Sequence, residues 1–176
     1  MYSKRSNVVL ITSSLTLRPL VNGDQKELMR IFSDPVAMHF YERTKTVEEA
    51  NQWVSKAEAF YREKRIGFFV CELKETGEFV GICGLLEQKD VEGKDEVEVG
   101  YLFVRDHWGK GYATEAARAC MEYGFHKLDC DRIVSLIDPE NTPSIRVAEK
   151  NGLVKEKVTI FKGCTACIYV KNKELY

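Results

Sequence analysis

The sequence predicts an α+β fold of mixed α/β layers, with one central sheet flanked by helices in the order β-α-α-β-β-β-α-β-α-β-β. Three observations predict it. Three strand-like segments follow one another between residues 67 and 104, separated by turn residues. A long helical segment from Gly111 to about Lys127 carries a narrow stripe of small residues, which lets a helix lie close to a sheet. An apolar strand and a second well-signalled helix then alternate before a final strand pair. The 176 residues suffice for one domain with one core, and no repeat, low-complexity tract or Pro/Gly-rich linker divides them.

The first strand, Leu15-Thr16-Leu17-Arg18-Pro19-Leu20, ends at its proline. From about Asp24 to Phe32, Leu28, Ile31 and Phe32 fall at helical spacing. Thr46 and Glu49 have capping-box form and open a second helix to about Lys64, with Ala50, Trp53, Ala57, Phe60 and Tyr61 on one face. Strands are expected at Gly67–Leu73 and Glu78–Leu86, joined at Glu75-Thr76-Gly77. The charged stretch Glu87–Asp95 reads as a solvated hairpin loop turning at Gly93, and Asp95–Val104 as the next strand. In the following helix Ala113, Ala116, Ala117, Cys120, Met121, Gly124 and Phe125 build the small-residue stripe. After the strand Arg132–Ile137, Asn141 is a suitable N-cap, Pro143 suits the first turn and Gly152 the stop. Strands near Val154–Phe161 and Thr165–Lys171 close the chain around Lys162-Gly163.

Composition narrows the class. Apolar residues make up 44% and charged residues 30%, and the formal net charge of −1 argues against a broad nucleic-acid or membrane-binding surface. The N-terminal Lys4 and Arg5 precede an apolar run, Val8–Ile11, that is too short for a signal sequence, and no stretch approaches the length of a membrane span. Without a secretory signal, the six scattered cysteines read as reduced, mostly buried thiols of a cytoplasmic protein. Only Cys164 and Cys167 have ligand-like spacing, and no second pair accompanies them, so no metal is expected.

The chemistry-bearing residues cluster in two places. Gly109-Lys110-Gly111 sits between a strand and a helix N-terminus, where free N–H groups and the helix dipole favour an anion. It is neither a dinucleotide fingerprint, which needs glycine where Thr114 stands, nor a Walker loop, which needs Ser or Thr after Lys110. A plain strand–helix connection explains it equally well. Asn141 is accounted for as a cap and Ser144 as an ordinary first-turn residue. Glu98 either faces solvent on a half-buried strand or acts as a base in a cleft, its pKa raised by Tyr101 and Phe103. His39, His107 and His126 lack metal spacing; His107 reads as a surface residue and Trp108 as packing under the loop.

Together, GYLFVRDHWGKGYATEAARACMEYGF and DPENTPSIRVAEKNGL resemble the GCN5-related N-acetyltransferases, within them the RimJ/RimL-type subgroup. LTLRPL and the strand ending in GICGL match the same layout, so the resemblance runs from about Leu15 to Val170. It implies a single N-acetyltransferase domain over 1–176, with a mostly antiparallel, splayed mixed sheet. It also implies acetyl-CoA as co-substrate and no metal. By match, Trp108, Gly109, Lys110, Gly111, Tyr112, Ala113 and Thr114 hold the pyrophosphate. Backbone near Leu102, Phe103 and Val104 pairs with the pantetheine arm, and Asn141 contacts that arm. Ser144 assists the departing thiolate, and Glu98 is the general base.

Three positions depart from the pattern. Asp106 stands where Gln or Arg is usual, with Arg105 beside it. Ala148 replaces a tyrosine acid, which shifts that role to Ser144 or water. Leu153 replaces the usual aromatic. The implied acceptor is a protein N-terminus or a small amine such as a polyamine, amino acid or aminoglycoside. Glu42, Glu48, Glu49, Glu96 and Glu98 would suit a polycation if they converged. The enzyme is expected as a monomer or homodimer, with no nucleic-acid or membrane partner. A non-catalytic acyl-CoA-binding module is the rival reading.

Overall fold

In the computed structural model, residues 8–173 are described, and Lys4 and Arg5 lie outside them. Eight strands form one sheet: β1 (Leu10–Ile11), β2 (Leu15–Pro19), β3 (Gly67–Leu73), β4 (Phe79–Val91), β5 (Lys94–Phe103), β6 (Arg132–Ile137), β7 (Val154–Phe161) and β8 (Cys164–Asn172). The four helices are α1 (Gln25–Phe32), α2 (Val47–Lys64), α3 (Tyr112–Lys127) and α4 (Thr142–Lys150). Strand order is β1-β2-β3-β4-β5-β6-β8-β7. Every neighbouring pair is antiparallel except β5 and β6, which run parallel.

The expected element order holds with one addition, the two-residue edge strand β1. The loop expected at Glu87–Asp95 is corrected: β4 and β5 pair through most of it, and only the tip turns, with Glu92 and Gly93 both at positive φ. Charge alone suggested a loop there. Val91, however, is buried against Val134 and Ile168, and this apolar anchor holds the long hairpin against the sheet.

Each face of the sheet carries its own core. α3 lies on one face, with Ala116, Ala117, Cys120, Met121, Gly124 and Phe125 buried as their spacing predicts. A Cβ on Gly124 would come within 2.8 Å of Ile133 Cδ1 and 2.9 Å of Leu85 Cδ1, so the small residue sets how close α3 sits. On the other face α1 and α2 pack Leu28, Ile31, Phe32, Ala50 and Val54 against Val70, Ile82 and Val104. The Thr46–Glu49 capping box opens α2. Asp24 does not cap α1 through its side chain. It accepts instead from Arg18 at 2.8 and 2.9 Å, in a buried pair that Glu72 extends.

The sheet forks between β5 and β6. Their ladder has the single register pair Glu98 and Val134, and beyond it the strands separate. Side chains stitch the fork: Ser135 Oγ donates to the Val99 carbonyl at 3.2 Å, and Leu136 N–H donates to Glu98 Oε1 at 3.0 Å. The carboxylate thus occupies the place a strand carbonyl would have taken. The separation leaves a gap through the sheet that joins its two faces.

Candidate active site

A cleft of about 320 Å³ opens at this fork and is lined by Glu98, Tyr101, Ser135, Asn141 and Ser144 together with aromatic residues of the α1–α2 side. Strand alternation divides its lining. Glu98 lies on the α1–α2 face, as does Leu102, whereas Tyr101 and Phe103 face α3. Tyr101 and Phe103 are therefore not the neighbours that desolvate Glu98. That surrounding comes from its own face, where Leu86 and Gln88 of β4 lie across from it.

Glu98 is half-buried, and burial pushes its carboxyl above the ordinary range. The Leu136 N–H, Gln88 Nε2 at 2.6 Å and the nearby Lys162 charge act in the opposite sense. A carboxylate so placed is more basic than a solvated one. Tyr41 lines the same cleft with 48% of its surface exposed, and burial together with the Glu98 charge pushes its hydroxyl pKa up to about 12.

On the α3 side, Asn141 Oδ1 accepts the Ser144 N–H at 3.2 Å and starts α4, as a cap should. Tyr101 Oη donates to the Ser144 carbonyl at 2.8 Å, and burial raises its pKa, so it stays protonated. Ala148 is buried and brings no hydroxyl. Tyr101 was missed in the sequence as a site residue, because an aromatic on a strand reads as core. Only its register against the fork reveals it. Leu153 is buried as a packing residue.

The glycine loop follows a short 3-10 turn, Arg105–His107. Gly109 and Gly111 have φ of 75° and 85°, and a Cβ on either would project into open space. The first α3 bond runs from Glu115 N to Gly111 O, so the N–H groups of Tyr112, Ala113 and Thr114 have no partner within the helix. A concave backbone with open approach and a helix N-terminus fits a pyrophosphate. Gly111→Val is expected to weaken CoA binding by at least about tenfold, from a left-handed φ that costs a β-branched residue on the order of 1–2 kcal/mol or more. Calorimetric titration with CoA checks it, and an unchanged affinity would remove the loop from the site.

Several assignments change. His107 is buried, not on the surface, with Nε2 2.9 Å from Glu78 Oε1. Trp108 does not pack under the loop: it is 44% exposed, and its Nε1 donates to the Phe103 carbonyl at 2.8 Å. Arg105 pairs with Asp34 at 3.0 Å. Val104 has both backbone groups engaged, its N–H to Val80 O and its carbonyl from His107 N. Because Val104 lies opposite Val80 in a hydrogen-bonded pair, alternation turns Leu102 toward β4 as well and points the backbone of Tyr101 and Phe103 into the fork. A ligand strand there would meet Tyr101 and the Phe103 N–H, not Leu102 or Val104.

The acidic residues do not converge. Glu49 caps α2 and pairs with Arg43, Glu96 is buried against Arg132, and Glu42 and Glu48 are exposed away from the lining. Among the described residues no helix is long and apolar enough to cross a membrane, and no cluster could hold a metal ion.

The acetyltransferase (GNAT) domain model matches residues 14–154. The chain is 41% identical over 145 residues to the uncharacterized protein YkkB of Bacillus subtilis, covering 82% of this chain and 84% of that one. It is 34% identical over 154 residues to the uncharacterized N-acetyltransferase p20 of Bacillus licheniformis, covering 84% and 85%. Spermidine N(1)-acetyltransferase of Escherichia coli is 28% identical over 145 residues, covering 81% and 74%. The crystal structure of a GNAT-family acetyltransferase from Bacillus anthracis superposes with a TM-score of 0.80 at 26% identity, covering 93% and 98%. With the forked sheet, the open glycine loop and these matches in agreement, the chain belongs to the GNAT acetyltransferases and is an acetyl-CoA-dependent N-acetyltransferase.

Proposed function

We propose that this enzyme acetylates a primary amine, of a small molecule or of a protein N-terminus, by direct attack in a ternary complex with Glu98 as general base. The observation that carries this reading is the position of Glu98. It is a desolvated carboxylate where the sheet opens between β5 and β6, with the aromatic wall of the cleft on one face and α3, which the glycine loop leads into, on the other. Bound acetyl-CoA supplies the activated acetyl thioester. The loop from Trp108 to Thr114, including Lys110, would hold its pyrophosphate. The Tyr101 and Phe103 backbone would align its arm, beside Asn141. Glu98 takes the ammonium proton, directly or through water, because only the free amine is a nucleophile. Ser144 and the protonated Tyr101 hydroxyl lie on the far side of the fork, where a proton donor for the leaving thiolate is needed.

No covalent acetyl-enzyme is required. Cys71 and Cys83 are fully buried, and burial pushes their thiols up, away from the nucleophilic thiolate. Initial rates against both substrates are expected to give intersecting reciprocal lines, and acetyl-CoA alone should leave the intact protein mass unchanged. Parallel lines with an acetylated protein would replace direct transfer by a two-step route.

A further inference from the structure

We infer that the acceptor is a monocationic primary amine carrying an aromatic or bulky apolar body close to the nitrogen, not a polyamine or an aminoglycoside. This rests on the transferase reading above and names the substrate class of the same cleft.

The α1–α2 side of the cleft is aromatic. Trp53 stands edge-on to Phe32 with ring centroids 5.2 Å apart and tilted against Phe68 at 5.4 Å, and Phe40 and Tyr41 close the other wall. Phe40 and Tyr41 remain 37% and 48% exposed, although large aromatic rings favour burial. A flat apolar body between these walls would cover them.

Charge points the same way. Among the described residues two carboxylates line the cleft, Glu98 and Asp138, each taking a backbone N–H on one oxygen. Two lysines offset them. Lys45 lines the cleft, its Nζ 5.8 Å from the Phe32 ring centre. Lys162 Nζ reaches Gln88 Oε1 at 3.2 Å, and Gln88 in turn holds Glu98. Two carboxylates are thus balanced by one lysine in the lining and one beside it, which leaves the cleft no surplus of acid for a second or third cation. An extended polycation would find like charge where it needs acid.

The test uses the whole chain with saturating acetyl-CoA and follows thiol release with 2-phenylethylamine, ethylamine, the dipeptide Phe-Gly, spermidine and kanamycin. The kcat/KM for 2-phenylethylamine or Phe-Gly is expected to exceed that for ethylamine and for spermidine by at least about tenfold, the scale on which apolar pockets discriminate. Whichever of the two aromatic amines is faster tells whether the body belongs to a small molecule or to an N-terminal residue. Equal rates with ethylamine, or a preference for spermidine or kanamycin, would overturn the inference and leave the transferase standing. Release with none of the amines, with CoA bound normally, would overturn this inference, because both members of its own substrate class would have failed. In the double variant Lys45→Glu/Lys162→Glu, the spermidine to 2-phenylethylamine ratio should rise by at least about tenfold. An unchanged ratio would refute the charge argument.

Discussion

Glu98→Gln is expected to lower kcat by about 10²–10⁴-fold while leaving CoA affinity nearly intact, because the variant keeps the shape of the fork and loses only the proton acceptor. The amide oxygen can still accept the Leu136 N–H, so the stitch between β5 and β6 survives. The contact with Gln88 changes more: Gln88 now donates to a carboxylate oxygen, and its own amide must turn to face another amide. Its carbonyl oxygen also holds Lys162, so that turn disturbs a second contact. Glu98→Asp separates the two effects. It keeps the base but withdraws it by one methylene, and should fall between wild type and Glu98→Gln.

The pH dependence follows from the same burial. The folded carboxyl titrates above its unfolded value, so folding favours the protonated form. Stability from this group is fully present below the unfolded pKa and is lost as pH rises through the folded pKa. At neutral pH the relief of the burial penalty in Glu98→Gln should therefore offset the disturbed Gln88 and Lys162 contacts, and the native enzyme keeps the carboxylate for chemistry at a small cost in stability. Activity runs the other way. Wild-type kcat/KM should fall on acidification through a limb lying above the ordinary carboxylate range of about 4.3, and Glu98→Gln should lose that limb. A variant with unchanged turnover, or with the limb intact, would take Glu98 out of the mechanism.

What the sequence made legible depended on whether the signal was local. The small-residue stripe of α3, the caps at Thr46 and Asn141 and the glycine pair at 109 and 111 all act within a few residues, and each is found where its spacing put it. The long hairpin was not legible, because Val91 belongs to β4 only by virtue of Val134 and Ile168, which are distant in sequence. The candidate site divided in the same manner. Glu98 was visible as a carboxylate on a strand, but the fork it stands at is a relation between β5 and β6. The choice between Leu102 and Tyr101 for the pantetheine side is a matter of register, since a strand presents alternate residues to its two neighbours. His107 shows the converse error: a polar residue beside a loop reads as solvated until Glu78, 29 positions away, is seen to cover it.

Gly84→Ala is expected to destabilise the protein by about 3 kcal/mol or more, above the usual range for overpacking and a large part of the 5–15 kcal/mol that holds a typical domain together. A Cβ at position 84 would lie 2.0 Å from the Gly67 carbonyl oxygen and 2.7 Å from Phe68 Cα. Those atoms are backbone, so no rotamer change relieves the contact. Gly67 opens β3 directly after α2 and itself has φ of 146°, so two glycines allow the α2–β3 connection to lie on β4. Relief requires β3 to move off β4, breaking ladder bonds in the middle of the sheet and leaving buried N–H and carbonyl groups unpaired. The movement would also carry α2 and Trp53, which wall the aromatic side of the cleft, away from Glu98. Urea denaturation should show a large drop in midpoint, and the folded fraction that remains should bind CoA better than it turns over, since the glycine loop lies on the other side of the fork. Gly93→Ala is the control: its Cβ meets nothing within 4 Å, and only the positive φ of 78° is penalised, at about 1 kcal/mol. If Gly84→Ala cost no more than Gly93→Ala, the close approach of β3 to β4 would not be what holds α2 over the site.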